Sequence, residues 1–259
     1  MKRHFFIYVT IFCFIFILAG CGQAKKVDQG TGYDNTKIGW GLKKVQGSQP
    51  EVPTSYQELL KKYDSYYLGN TTEKVMYLTF DEGYENGYTA QILDVLKKTQ
   101  TPAAFFVTGP YIKNEADLVK RMVNEGHTVG NHTVNHPSMP DVSNEEIEKE
   151  LSELDKMFFE LTGKNMTFLR PPRGEFSERT LALSKDMGYK NIFWSVAYAD
   201  WDTKKQKGVD YAIQQVTSQF HNGAIILLHA VSSDNANGLE QIINTAKEQG
   251  YTFKRLEDL

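Results

Sequence analysis

Val75-Met76-Tyr77-Leu78-Thr79-Phe80-Asp81-Glu82-Gly83 decides how the rest of the chain is read. Its apolar, β-prone opening, Val75 to Phe80, has the length and composition of a buried strand. Gly83 and Gly87 then break the run, and Tyr88 to Lys98 turns helical. Asp81 and Glu82 therefore fall where a strand gives way to a loop. In strand–helix repeats that edge collects catalytic groups. Two neighbouring carboxylates there can divide the work, one holding a metal and the other taking a proton from water. Asp and Glu before Gly are equally at home in a solvated turn, so the reading depends on what lies downstream.

Downstream the chain keeps alternating. Strand-like runs recur at Ala103–Thr108, Thr128–Gly130, Thr167–Leu169, Asn191–Val196, Ala224–Leu228 and Tyr251–Phe253. Helical patterns fill the gaps at Glu115–Glu125, Asn144–Leu161, Ser177–Met187, Gly208–Phe220 and Asn235–Gln249. Ser143 followed by Glu146 marks a capped helix start, and Gly126, Gly163, Gly188 and Gly250 stand where helices stop. Alternating β and α argues an α/β domain on a parallel sheet, open or closed into a barrel. One such domain is expected over residues 74–259.

Ahead of it, Lys2 and Arg3 precede an apolar run, Phe5 to Leu18, that is short for a bilayer span and suits a secretory signal. It ends in Leu18-Ala19-Gly20-Cys21, which resembles a bacterial lipobox and implies cleavage before Cys21 and lipid on its sulfur. Residues 1–20 are then a signal, 21–54 a flexible tether rich in Gly, Gln, Lys and Asp, and 55–73 a helical extension. The other cysteine, Cys13, lies in the removed segment, so no disulfide is expected. A formal net charge of −3 gives no sign of nucleic acid as a partner, and none is expected.

Four further clusters carry chemistry. His132 and His136, four apart after a strand, are spaced to share a metal from one helical turn. With a carboxylate from the earlier strand end they suit zinc, cobalt or manganese and leave room for water. Arg170-Pro171-Pro172-Arg173-Gly174 is a stiffened strand end whose Arg170 can clamp a carboxylate. Asp200 and Trp201 follow another strand, and Trp201 serves as either a sugar wall or a core residue. Leu227-Leu228-His229 closes a buried strand, and a histidine there, oriented by an aspartate, suits a general acid. His127 and His221 read as structural.

In this order the clusters resemble the polysaccharide deacetylases of the NodB-homology type (carbohydrate esterase family 4). The family pattern TFDDG, H-S/T-x-x-H, R-x-P-x-G, D-x-x-D-W and L-x-H stands here as Thr79–Gly83, His132–His136, Arg170–Gly174, Ala197–Trp201 and Leu227–His229. The resemblance implies a distorted (β/α) barrel of about seven parallel strands. It assigns Asp81 as general base, Glu82, His132 and His136 as metal ligands, and Arg170 as the residue that orients Asp81. Asp200 then positions His229, the general acid. Trp201 and Leu227 pocket the acetyl methyl, and the Arg173 backbone N–H faces the oxyanion. Two positions depart from the pattern: Glu82 replaces Asp, and Ala197 replaces Asp.

Longer stretches, including Tyr67–Thr71, Tyr84–Tyr88, Phe176-Ser177 and Phe193–Val196, look like the branch that makes muramic δ-lactam in spore peptidoglycan. That likeness implies removal of acetyl from N-acetylmuramic acid in peptide-free strands. On that reading we expect Arg173 to meet the lactyl carboxylate. The partners are then glycan strands and, through Cys21, the membrane. The expected location is the outer face of the cytoplasmic membrane of a Gram-positive bacterium, as a monomer. Two other readings compete: an N-acetylglucosamine deacetylase conferring lysozyme resistance, and a non-catalytic wall-binding lipoprotein.

Overall fold

The computed structural model describes residues 32–259. Cys21 and the signal segment lie outside them. The elements in chain order are β1 (Ile38–Gly39), α1 (Thr54–Lys62), β2 (Ser65–Tyr66), β3 (Val75–Glu82), α2 (Thr89–Thr99), β4 (Ala104–Val107), α3 (Gly109–Asn114), α4 (Ala116–Asn124), β5 (Thr128–Asn131), α5 (Asn144–Thr162), β6 (Phe168–Leu169), β7 (Glu175–Phe176), α6 (Glu178–Asp186), β8 (Lys190–Ile192), α7 (Val209–Thr217), β9 (Ala224–His229), α8 (Ser233–Glu248) and β10 (Thr252–Phe253). Ser143 starts α5 by accepting the Glu146 N–H, and Gly163 ends it in the left-handed region.

All the pairings of the main sheet are parallel, running β10-β3-β4-β5-β6-β8-β2 with β9 beside β3. The seven expected strands are all there. Ser65–Tyr66 adds an eighth, because the helical extension expected over 55–73 stops at Lys62 and Asp64 takes a positive φ. Beyond β8 the chain stays extended. Ser195 and Val196 donate to the Ile225 carbonyl, and Leu227 donates to that of Val196, so the sheet curls back onto β9 as a distorted barrel.

Strand alternation sorts this sheet into two cores. Even positions of β3, Met76, Leu78 and Phe80, pack outward with helix residues such as Ile92, Leu96 and Leu239. Odd positions, Val75 and Tyr77, pack inward with Phe106, Phe168, Ile192 and Ile225. Because both faces of β3 are covered, it reads as a continuous apolar run, and all eight of its residues are buried. Inward positions at the carboxyl ends of the strands then open onto one rim.

The stretch expected as a tether is not one from Tyr33 onward. β1 pairs with β7, Lys43 pairs with Glu51, and Trp40 is 8% exposed among Tyr67, Phe176 and Phe193. The Trp40 N–H groups close the contact, the backbone one on the Gly174 carbonyl (2.8 Å) and the indole one on that of Trp194 (3.0 Å). Its polar composition concealed a few large aromatic anchors at wide spacing, enough to hold a segment without periodicity. Trp40→Ala is expected to destabilise the protein by about 3–5 kcal/mol in urea unfolding; an unchanged midpoint would return the segment to tether status.

Candidate active site

β3 and β9 run side by side with Asp81 opposite His229 in the register. Both are inward positions at the strand ends, so a carboxylate and an imidazole reach one rim from adjacent strands. Arg170 arrives from the end of β6. It is fully buried, donating from Nη1 to Asp81 Oδ1 at 2.7 Å and from Nε to the Ile192 carbonyl at 3.1 Å. Its guanidinium carbon lies 4.2 Å from the centre of the Phe106 ring. Gly130 makes room for that ring: a Cβ there would stand 2.5 Å from it. Burial alone would raise the Asp81 pKa, but the Arg170 charge, with those of His132 and His229, outweighs it and holds the carboxyl below its usual value.

His132 and His136 do come together, with ring centroids 4.7 Å apart in an edge-to-face arrangement. The segment is a loop rather than the expected helical turn, with Thr133 and His136 both at positive φ. Asn131 and Glu150 shape it. Asn131 Oδ1 accepts the Thr133 N–H, and the buried Glu150 carboxylate accepts from both the backbone and the side chain of Asn135. His132 Nδ1 lies 2.8 Å from the Arg170 carbonyl and must donate to it, which leaves the Nε2 lone pair facing Asp81 Oδ2 at 3.6 Å. Burial lowers the His132 pKa, and burial followed by the His132 charge pushes that of His136 down to about 4.

Glu82 does not join them, which corrects the expected ligand set. The expectation ended the strand at Phe80 and put both acids where the loop begins. β3 instead continues to Glu82, so adjacent side chains take opposite faces. Glu82 shares the outward parity of Phe80 and is fully buried. Thr89 Oγ1 lies at 3.5 Å from its Oε1, and its Oε2 has no partner. Burial, reinforced by Glu85 and Asp81, raises its pKa well above the ordinary value. Among the described residues, no three His, Cys, Asp or Glu side chains assemble as a metal-ligand set. The residues therefore do not fit the Glu82–His132–His136 site that the resemblance implies.

Asp200 is buried and holds His229 twice, by Oδ1 to the ring Nδ1 (2.7 Å) and by Oδ2 to the backbone N–H (2.8 Å). Asn235 donates to the same Oδ2 at 2.6 Å, and the Tyr198 hydroxyl donates to Asn235 Oδ1. His229 Nε2 is left to face the cavity. Burial pulls the His229 pKa down, but the Asp200 charge and hydrogen bond, and Asp81 behind them, carry it above the ordinary value.

Asp81, His132, His136 and His229 line a cavity of about 660 Å³ together with Leu227, Trp201 and Arg173. Leu227 is 4% exposed, whereas Trp201 is 59% exposed, a free wall rather than core. Its ring centre lies 6.0 Å from that of His229. Arg173 is exposed in the left-handed region (φ 60°), with no hydrogen bond or ion pair among the described residues. His127 and His221 are indeed structural. His127 Nδ1 accepts the Ala103 N–H, and His221 bridges the Gln219 carbonyl and Ser195 Oγ.

Sequence reasoning passed over Asn131, Glu150, Tyr198 and Asn235. Glu150 left one usable trace, a carboxylate on the apolar face formed by Ile147, Leu151 and Leu154, where an acid needs a reason to be buried. The expected base and acid are separable by pH. The lowered pKa of Asp81 is expected to place the acid limb of kcat/KM low, and the raised pKa of His229 to place the alkaline limb above an ordinary histidine value. Asp200→Asn is expected to move that alkaline limb to lower pH; an unmoved limb would remove His229 from the titration. For Glu82, Glu82→Gln is expected to leave the Zn²⁺ affinity of the protein within about threefold in calorimetric titration. A loss in the 10–100-fold range typical of disturbed metal sites would show Glu82 reaching the histidines after all.

A family model described as polysaccharide deacetylase matches residues 68–192. The peptidoglycan-N-acetylmuramic acid deacetylase PdaA of Bacillus subtilis is 46% identical over 253 residues, 96% of this chain and 94% of that protein. Its structure superposes with a TM-score of 0.85 at 48% identity, covering 87% of this chain and 97% of the other. A family 4 carbohydrate esterase of Bacillus anthracis gives a TM-score of 0.75 at 46% identity, covering 88% and 97%. A peptidoglycan-N-acetylglucosamine deacetylase of Bacillus cereus is 33% identical over 192 residues, 72% of this chain and 88% of that protein.

Proposed function

The chain belongs to the polysaccharide deacetylase family, and we propose that within it the protein removes the N-acetyl group of N-acetylmuramic acid in peptide-free peptidoglycan strands, the step that precedes muramic δ-lactam formation in spore cortex. One observation carries the hydrolytic part. A carboxylate held ionised by a buried arginine faces the same rim as an aspartate-held histidine, in neighbouring register positions of two parallel strands.

The chemistry follows from those two groups. Asp81 takes a proton from water, and the resulting hydroxide attacks the acetamide carbonyl. The backbone N–H of Arg173 is the donor that the family likeness offers to the oxyanion. His229, protonated at Nε2 and fixed at Nδ1 by Asp200, gives its proton to the sugar nitrogen as the C–N bond breaks. Acetate and the free amine leave. An amide needs this proton because its nitrogen is a poor leaving group until protonated. Leu227 and Trp201 bound the space for the acetyl methyl and the sugar face.

Support for the muramic sugar is of two kinds. The relative of matching sugar specificity is 46% identical across nearly its whole length, against 33% for the glucosamine-directed one. Arg173, unpaired at the cavity wall, suits a lactyl carboxylate. The lipobox at Cys21, outside the described residues, supports a position on the outer membrane face, where the enzyme meets wall from below.

The deciding measurement is mass spectrometry of glycan products from two wall substrates, peptide-stripped strands and intact peptidoglycan. Loss of acetyl from muramic acid in stripped strands alone is expected. Loss from glucosamine in intact wall would assign the protein to the lysozyme-resistance class, and loss from neither would favour a binding protein. Asp81→Asn is expected to lower turnover by about 10²–10⁴; full activity in that variant would remove Asp81 as the base.

A further inference from the structure

The N-terminal arm, Tyr33 to Val52, does more than cover an aromatic core. It places Leu42 and Lys44 on the wall of the catalytic cavity. Of the Lys, Arg, Asp and Glu side chains that line this cavity, Asp81 is already neutralised by Arg170, which leaves Lys44 and Arg173. Both are cations, and neither has an anionic partner among the described residues. Lys44 donates to a neutral acceptor, the backbone carbonyl of Ala197 at 2.6 Å, which occupies one of its three N–H donors. Partial shielding from water lowers its pKa, the effect of a charge held against a wall and not yet matched.

Its neighbour behaves in the opposite way. Lys43 turns outward and is paired with Glu51 at 2.9 Å. The arm is also fixed where it matters. The Trp40 N–H bonds the carbonyl of Gly174, the residue after Arg173, and Gly174 has no room for a Cβ, which would stand 2.8 Å from Trp194 and 3.0 Å from Trp40. Arm and Arg173 loop are thus one docked unit that presents two cations to one cavity.

We propose that Lys44, carried in by this arm, is a specificity residue that forms with Arg173 a subsite for a carboxylate on the sugar being deacetylated. This rests on the muramic reading, in which that carboxylate is the lactyl group, and assigns its recognition to a segment outside the barrel. A neutral N-acetyl sugar would leave two cations facing the substrate without a partner, so the arm also selects against it.

The test uses peptide-free strands with free lactyl carboxylates and the same strands with those carboxylates converted to methyl amides. Lys44→Gln keeps a donor for the Ala197 carbonyl and removes only the charge; Lys43→Gln is the control. The parent is expected to prefer the free acid, and Lys44→Gln to lower kcat/KM on it about tenfold, mainly through KM, while the amide is little affected. Lys44→Arg should restore most of the preference, and Lys43→Gln should leave it as in the parent. If the parent prefers the free acid and Lys44→Gln keeps that preference whole, Lys44 is not part of the subsite. Equal turnover of both strands by the parent would eliminate the anionic subsite. Turnover of glucosamine only would overturn the muramic reading and this subsite with it.

Discussion

The buried pair of Arg170 and Asp81 is the interaction on which the rest of the site depends. Arg170 is fully buried and Asp81 nearly so, and an ion pair in such a place is costly unless other contacts support it. Here the strand end of Ile192 takes one guanidinium N–H, the Phe106 face takes the cation, and Gly130 yields the space that the ring requires, while Nη2 has no hydrogen-bond partner among the described residues. Four strands of the curled sheet therefore converge on one carboxylate. Removing the arginine would leave a largely buried carboxylate without its counter-charge, a loss of about 3–5 kcal/mol for pairs of this kind. The base is not merely near the arginine; its ionised state is a property of the barrel interior.

Much of this was legible in the sequence, because each group sits at a strand end and strand ends are marked by apolar runs. Asp81, Arg170 and His229 could be ordered along the chain and assigned to one rim before any coordinates. Glu82 was misplaced for a reason that the sequence also held. Val75 to Glu82 alternates inward and outward, and two acids in succession cannot both face the interior unless the strand stops between them. The likeness to a family pattern with two acids outweighed that parity.

The supporting residues were illegible for another reason. Asn131, Glu150 and Asn235 act through contacts between segments far apart in the chain, and a single Asn or Glu carries no periodic signal. The arm fell into the same class. Its polar composition is that of a linker, and its anchoring depends on Trp40 meeting aromatic residues more than a hundred positions away. Composition reports what a segment could do alone, and this one does nothing alone.

That docking sets where the protein can be divided. The region matched by the family model opens at residue 68, yet the apolar cluster of Phe176, Phe193 and Leu181 is completed by Trp40, Val52, Leu60 and Tyr63, all of which precede it. A fragment begun at the family boundary would carry a bared apolar patch on its flank and tend to self-associate. The packed unit is accordingly larger than the region matched by the family model, and it takes in Tyr33.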